Sequence, residues 1–300
     1  MPRLFLLLIT AACFGAGTEK FCFEAATREG LSRLGASGLG PCAAEGREKL
    51  PVPRVDPKVR VASATRAPWI IANGWRFLRN PAGRFWYDLP PQKAALAMAE
   101  AFVYEADAGF QIAPEDYPEA ARMLAFLRAL PRRDLAPMAD FALVDDGSAL
   151  AAEAINLLCR RNLLFALAPQ PDPRFNLNVV IGSDDFPQAL AANPAELAAA
   201  VRRKLTDERR SVRLFGSEMA IVRGAGDEKA ARVYILYYGN YPVRGLRLRV
   251  RGQFSTAAAY VFGRPEARAE ELIREGGFTE LTIPESGPLA VVDLPAPPQQ

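Results

Sequence analysis

The chain has no histidine among its 300 residues. That absence excludes every Ser-His-Asp and Cys-His nucleophilic mechanism and every histidine-ligated zinc or iron site, and neither metal nor cofactor is expected. Acid–base chemistry is left to carboxylates, Lys, Tyr or Cys. A charge surplus is also missing: 37 basic against 34 acidic residues leave +3, too little to argue for nucleic acid. The apolar run from Leu4 to Phe14 has eleven residues, short of the roughly 20 that span a bilayer, so no integral membrane span is expected.

What is present fits a folded protein. Half of the residues are apolar and 24% are charged, enough to bury a core. The length suggests about two domains. Arg3, the apolar run and the small residues Gly15, Ala16 and Gly17 have the layout of a secretory signal over residues 1–17. Export to the periplasm or the extracellular space is the expectation. The Thr10–Cys13 stretch TAAC is a rough lipoprotein box, with Cys13 as the alternative lipid anchor. Export permits disulfides. Cys22 and Cys42 flank one short helical stretch over Glu24–Leu34, and a bridge between them would contribute on the order of 3 kcal/mol. Cys159, near the end of an apolar helix, reads as an inert core thiol.

Residues 18–64 form an N-terminal segment and linker rich in Gly and Pro, with a short strand over Val59–Ala62. Residues 65–134 follow as an aromatic-rich α/β region. All three tryptophans, Trp69, Trp75 and Trp86, fall here, interleaved with Asn73, Arg76, Tyr87 and Asp88. Rings beside Arg, Asn and Asp suit a site that stacks a sugar face and hydrogen-bonds its edges. Core strands are the competing reading of the same residues. A helix is predicted over Pro91–Ala108, ended by Gly109, then a strand at Phe110–Ala113 and a helix over Tyr117–Leu130.

Residues 135–226 read as strand, acidic turn, helix, strand, acidic turn, helix, the rhythm of an α/β layer. A small repeat, EDYPEA at residues 115–120 and DDFPQA at 184–189, places Asp116 and Asp185 where they can cap a following helix. Asp145, Asp146 and Ser148 stand in the same position after FALV. Acidic turns at the carboxyl ends of strands are also where open α/β sheets bind ligands, and capping alone accounts for these residue types. The basic stretch VRRKLTDERR reads as a solvated face. Residues 227–295 turn to short strands, and the alternation of Leu246, Leu248 and Val250 with Arg247, Arg249 and Arg251 predicts one buried and one wet face. Residues 296–300 are a tail.

LYYGNYPVRGLRLRVRG and FTELTIPESGPLAVVDL resemble the C-terminal β-sandwich of multi-domain bacterial glycosidases. Residues 135–224 look like the amidotransferase-like domain of β-galactosidase-like enzymes, and AEAFVYEADAGF is similar to the helix and strand that close their barrel. The resemblance implies an α/β fold: a flavodoxin- or amidotransferase-like layer with a partial barrel-like N-terminal part, followed by a small antiparallel β-sandwich. It also implies a carbohydrate context, with a polysaccharide or glycan as partner. Too few residues precede residue 135 for a full barrel of about 250.

Three functions follow. One is a secreted glycoside hydrolase-like protein, carbohydrate-binding or accessory, with Trp69, Asn73, Trp75, Arg76, Trp86, Tyr87 and Asp88 as its ligand site. A second is an active glycosidase using two of Asp88, Asp145, Asp146, Asp184 and Glu218 as its carboxyl pair. The third is a non-enzymatic envelope protein that assembles as an oligomer or with a partner chain.

Overall fold

The computed structural model describes residues 17–24, 27, 29–30, 39–56 and 68–295. The signal segment, Cys13, the helix over Glu24–Leu34, the strand over Val59–Ala62 and the tail lie wholly or largely outside the described residues. Among the described residues no helix is long and apolar enough to cross a membrane. The fold is mixed α/β with several separate sheets.

The first unit holds strands β1 (Phe21–Phe23), β2 (Gly40–Pro41), β3 (Glu48–Leu50), β4 (Arg54–Asp56), β5 (Trp69–Ile71), β6 (Arg84–Leu89) and β7 (Asp107–Ile112). Its helices are α1 (Gly74–Arg79), α2 (Ala94–Val103) and α3 (Tyr117–Ala129). A parallel sheet runs β2-β1-β7-β6-β3, and β4 pairs antiparallel with β5. The Cys22–Cys42 disulfide ties β1 to the segment after β2 across a Cα–Cα distance of 5.6 Å.

Helix α2 is shorter at both ends than the spacing predicts. Gln92 (φ 67°) and Glu105 (φ 53°) take left-handed conformations that mark its approach and its exit. Gly109 therefore sits inside β7 and ends no helix. Its role is close approach: a Cβ there would stand 2.6 Å from the Trp86 ring and 2.9 Å from Cys42 Sγ. The buried Asp116 does not cap its own helix. Its carboxylate accepts from the Gln92 amide at 2.9 Å and the Lys93 amide at 3.3 Å, at the mouth of α2 instead.

The second unit is a three-stranded parallel sheet, order β10-β8-β9, built from β8 (Phe141–Val144), β9 (Phe165–Ala168) and β10 (Asn178–Val179). Helices α4 (Ala149–Arg160), α5 (Gln188–Ala191) and α6 (Pro194–Leu205) accompany it. Ser148 Oγ accepts from the Ala151 amide at 3.0 Å and caps α4, and Asn193 caps α6. Asp185 does no capping; it pairs with Lys204 at 2.6 Å.

The third unit contains β11 (Val212–Phe215), β12 (Ala220–Gly226), β13 (Ala231–Tyr237), β14 (Val243–Arg251), β15 (Ala258–Val261), β16 (Glu270–Glu275), β17 (Phe278–Ser286) and β18 (Leu289–Leu294). They form two sheets, β11-β14-β17-β16 and β12-β13-β18-β15, that share one apolar core. Two of these strands, β11 and β12, lie upstream of residue 227. In β14 the leucines and Val250 are buried and the arginines face outward, with Arg247 2.7 Å from Glu280.

The other sheet has no wet face along its central strand: every residue of β13 is buried. Val233, Ile235 and Tyr237 enter the core between the two sheets. Tyr234 and Leu236, with Tyr238 just beyond, enter the core that holds α2 and the first parallel sheet. Leu289 and Val291 of β18 join them. Each such side chain stabilises the junction by about 1.5–3 kcal/mol.

Candidate functional site

The aromatic stretch folds into β5, α1 and β6, and their geometry sorts its residues into three places. Along β6 the side chains alternate. Phe85 and Tyr87 point to one face, where the Tyr87 ring stacks on Phe110 at 5.5 Å between centroids. Trp86 points to the other, against Gly109, and is 3% exposed. Asp88 shares the Trp86 face and is exposed.

Asn73 and Tyr87 meet, but in the interior. Both surround Glu100 of α2, which is fully buried. Its Oε1 accepts from the Asn73 amide at 2.7 Å and the Tyr238 hydroxyl at 2.7 Å. Its Oε2 accepts from the Tyr87 hydroxyl at 2.8 Å and Asn73 Nδ2 at 3.1 Å. Burial raises the Glu100 carboxyl above its ordinary range, and these four donors pull back the other way. Burial also lifts both tyrosine hydroxyls well above theirs. The network links the first and third units and has no opening to solvent at Glu100, Tyr87 or Asn73. Asn73 precedes α1, whose first residue must be Gly74, since a Cβ there would lie 2.1 Å from the Tyr104 ring.

Trp69 and Trp75 remain half-buried and pack on the edge of the core formed by β8, α4 and α6. The Arg160 guanidinium lies 3.5 Å from the Trp69 ring centroid, and Arg76 lies 4.2 Å from that of Trp75. Arg76 also reaches Glu48 at 3.5 Å. Of the predicted ligand-site residues, Trp69, Trp75 and Arg76 thus keep partial exposure beside this core.

The carboxylates are occupied locally. Asp145 receives a two-pronged clamp from Arg79, at 2.9 and 3.0 Å, and Arg79 goes on to the Ser148 carbonyl at 2.8 Å. Asp146 accepts from the Ser148 amide at 2.9 Å, and hydrogen bonding from the Ser148 side chain, then from that amide, holds its carboxyl below the usual range. Asp184 is exposed in the loop after β10, on the same sheet edge as Asp145 because β8 and β10 run parallel. Glu218 is exposed on the turn between β11 and β12, at the rim of an arginine-lined cleft. Cys159 keeps a buried thiol, pushed up to about 12 by burial, which makes it a poor nucleophile. Among the described residues, no cluster of three or more Cys, Asp or Glu side chains is arranged to hold a metal ion.

Sequence reasoning reads Glu100 only as a solvated or packing position of its helix and passes over Tyr238. The signal available was a single charge in an otherwise apolar helix, AALAMAEAFV.

No family model matches the chain, and no curated protein sequence matches it. Among solved structures it is similar to alpha-L-fucosidase isoenzyme 2 from Paenibacillus thiaminolyticus, with a TM-score of 0.55 at 9% identity. That similarity covers 74% of this chain and 62% of the fucosidase, so the chain spans less than two thirds of that protein's length. Alignments to the alpha-amylase from H. orenii (12% identity, 74% of this chain and 56% of that one, TM-score 0.18) and to an Anoxybacillus alpha-amylase (8%, 75% and 56%, 0.17) carry no weight. At this identity the likeness is one of fold alone: the chain shares its mixed α/β architecture with part of that fucosidase.

Proposed function

We propose that this chain is an exported glycoside hydrolase-like protein that binds carbohydrate as an accessory module, its catalytic barrel truncated or degenerate. The observation that carries the reading is the parallel sheet β2-β1-β7-β6-β3, which has five strands among the described residues where a closed barrel takes eight. The state of the carboxylates supports an accessory role: Asp145 is neutralised by Arg79, and Asp146 is engaged by its own turn. The unit of β8 to β10 takes the place of the amidotransferase-like layer in this reading, and β11 to β18 that of the C-terminal sandwich. Export is supported by the Cys22–Cys42 disulfide, a bond that persists in oxidising compartments. The binding surface is Trp69, Trp75 and Arg76, whose rings and guanidinium stay partly accessible.

The test incubates the purified protein with a panel of plant and bacterial polysaccharides and scores pull-down together with release of reducing ends. Binding without release, lost in Trp75→Ala while the fold is kept, is the expected result. Release of reducing ends would overturn the accessory role, and retention of no polysaccharide at all would overturn carbohydrate binding.

A further inference from the structure

A cleft of about 350 Å³ opens where the end of α4, the end of α6 and the start of the third unit meet. Its walls carry Arg160, Arg161, Arg202, Arg210 and Arg213, against only Asp207 and Glu218. Five guanidiniums facing two carboxylates leave a surplus of three positive charges in one concavity. In sequence these arginines belong to two separate stretches, Arg160–Arg161 and Arg202–Arg213, and the fold brings them together.

Arg202 is exposed, as the solvated reading of VRRKLTDERR expects, but two of its neighbours in the cleft are not. Arg160 and Arg210 each have side chains 8% exposed. Arg160 Nη2 is buried without a hydrogen-bond partner, and the Glu153 carboxylate stands 4.0 Å from it. Arg210 Nε and Arg213 Nε are buried and unpartnered as well. Asp207 serves Arg213 at 3.0 Å and Arg210 at 3.4 Å. Among the described residues no carboxylate pairs with Arg161 or Arg202; Arg202 donates instead to the Arg161 carbonyl at 3.0 Å. Burial lowers the pKa of Arg160 to about 10, with Arg161 pushing the same way, and burial followed by repulsion from Arg213 lowers that of Arg210. Like charges gathered in a partly dry cleft, with orphaned N–H groups, destabilise the empty site. An oxyanion offsets the charge surplus, and its oxygens accept from guanidinium forks.

We infer that this cleft is a binding site for a tetrahedral dianion, phosphate or sulfate, taken either as the free ion or as an ester. The dianion seats among Arg160, Arg161, Arg202 and Arg210, while Glu218 at the rim opposes it. The Trp69 ring, stacked on Arg160, closes the back of the guanidinium and keeps its plane fixed.

Isothermal titration of the full chain with sodium phosphate and with sodium sulfate, at ionic strength held constant with chloride, tests this. One saturable site per chain is expected. The Arg161→Gln/Arg202→Gln double variant removes two guanidiniums that hold no ion pair, so its fold is kept, and its affinity should fall about tenfold or more. Glu218→Gln should move affinity the opposite way, tightening it a few-fold. Glucose 6-phosphate and glucose distinguish the sources: tighter binding of the sugar phosphate than of phosphate identifies an ester, and phosphate binding without sugar-phosphate binding identifies the free ion. No saturable binding of either dianion, or an affinity unchanged in both variants, overturns the site. Binding of glucose alone would leave the carbohydrate reading standing while the dianion site falls.

Discussion

Glu100 Oε1 and the Tyr238 hydroxyl are 2.7 Å apart, though 138 residues separate them along the chain. The contact fastens the third unit to α2 through a carboxylate with no exposure. Removing the hydroxyl by Tyr238→Phe deletes one of four donors to a buried acceptor. A loss of about 1.5–3 kcal/mol is expected for a hydrogen bond to a group of this kind. Urea unfolding of the variant measures it.

The same carboxyl sets a pH dependence. Its folded pKa is raised above the ordinary 4.5 by burial, so the folded state holds the proton more tightly than the unfolded state. Stability from this group is complete below the unfolded value and is lost as pH rises through the folded one. Glu100→Gln removes the titration. The stability of wild type relative to that variant should therefore fall as pH rises from about 4 and then level off. A difference independent of pH over that window would show that Glu100 does not titrate as its burial requires.

Arg232 and Asp293 sit opposite each other on β13 and β18 and form a two-pronged pair at 2.6 and 2.7 Å, 4% and 2% exposed. Asp293→Ala strands a buried guanidinium and should cost about 3–5 kcal/mol. Arg232→Met combined with Asp293→Leu strands no charge in the pair and should cost less than Asp293→Ala alone. Chemical denaturation of the variants checks the ordering.

Two substitutions near β7 act through different states of the chain. Cys22→Ala with Cys42→Ala opens a loop of sequence separation 20 and should lower stability by about 3 kcal/mol, chiefly by freeing the unfolded chain. Gly109→Ala drives a methyl into the Trp86 ring and Cys42 Sγ and should cost about 1–3 kcal/mol through strain in the folded state. In the Cys-free background the sulfur is gone, so the Gly109→Ala penalty should shrink.

Cys159 should resist alkylation in the folded protein at mildly alkaline pH, because its thiol stays protonated up to about 12. Mass spectrometry should find it labelled only after denaturant is added.

Features governed by neighbours in sequence were readable in advance. The alternation in Leu246–Arg251 gave the two faces of β14, and Ser148 announced the start of α4. The edge strand β16 is not legible in the sequence, because its residues are nearly all exposed and show no period of two. The sequence offers Asp116 as a cap of its own helix, whereas the amides it serves, Gln92 and Lys93, lie at the entry to α2, reached only through tertiary folding. The aromatic stretch was recognisable as important, yet composition could not separate the partly exposed Trp69 and Trp75 from Trp86 and Tyr87 inside. That division depends on which side of β6 each residue takes and on what Gly109 leaves room for. Glu100 and the arginine cleft are long-range assemblies, and a single sequence carries little trace of such meetings.

The two-faced burial of β13 and β18 bears on how the protein is made. Leu289 and Val291 complete the apolar core begun by Phe21 and Phe23. On the ribosome, at roughly 5–20 residues per second, the early helices and parallel strands wait on the order of ten seconds for the strands that cover them. Throughout that interval α2 and its neighbours present a bare apolar flank, so the nascent chain stays open to aggregation until its last strand is made.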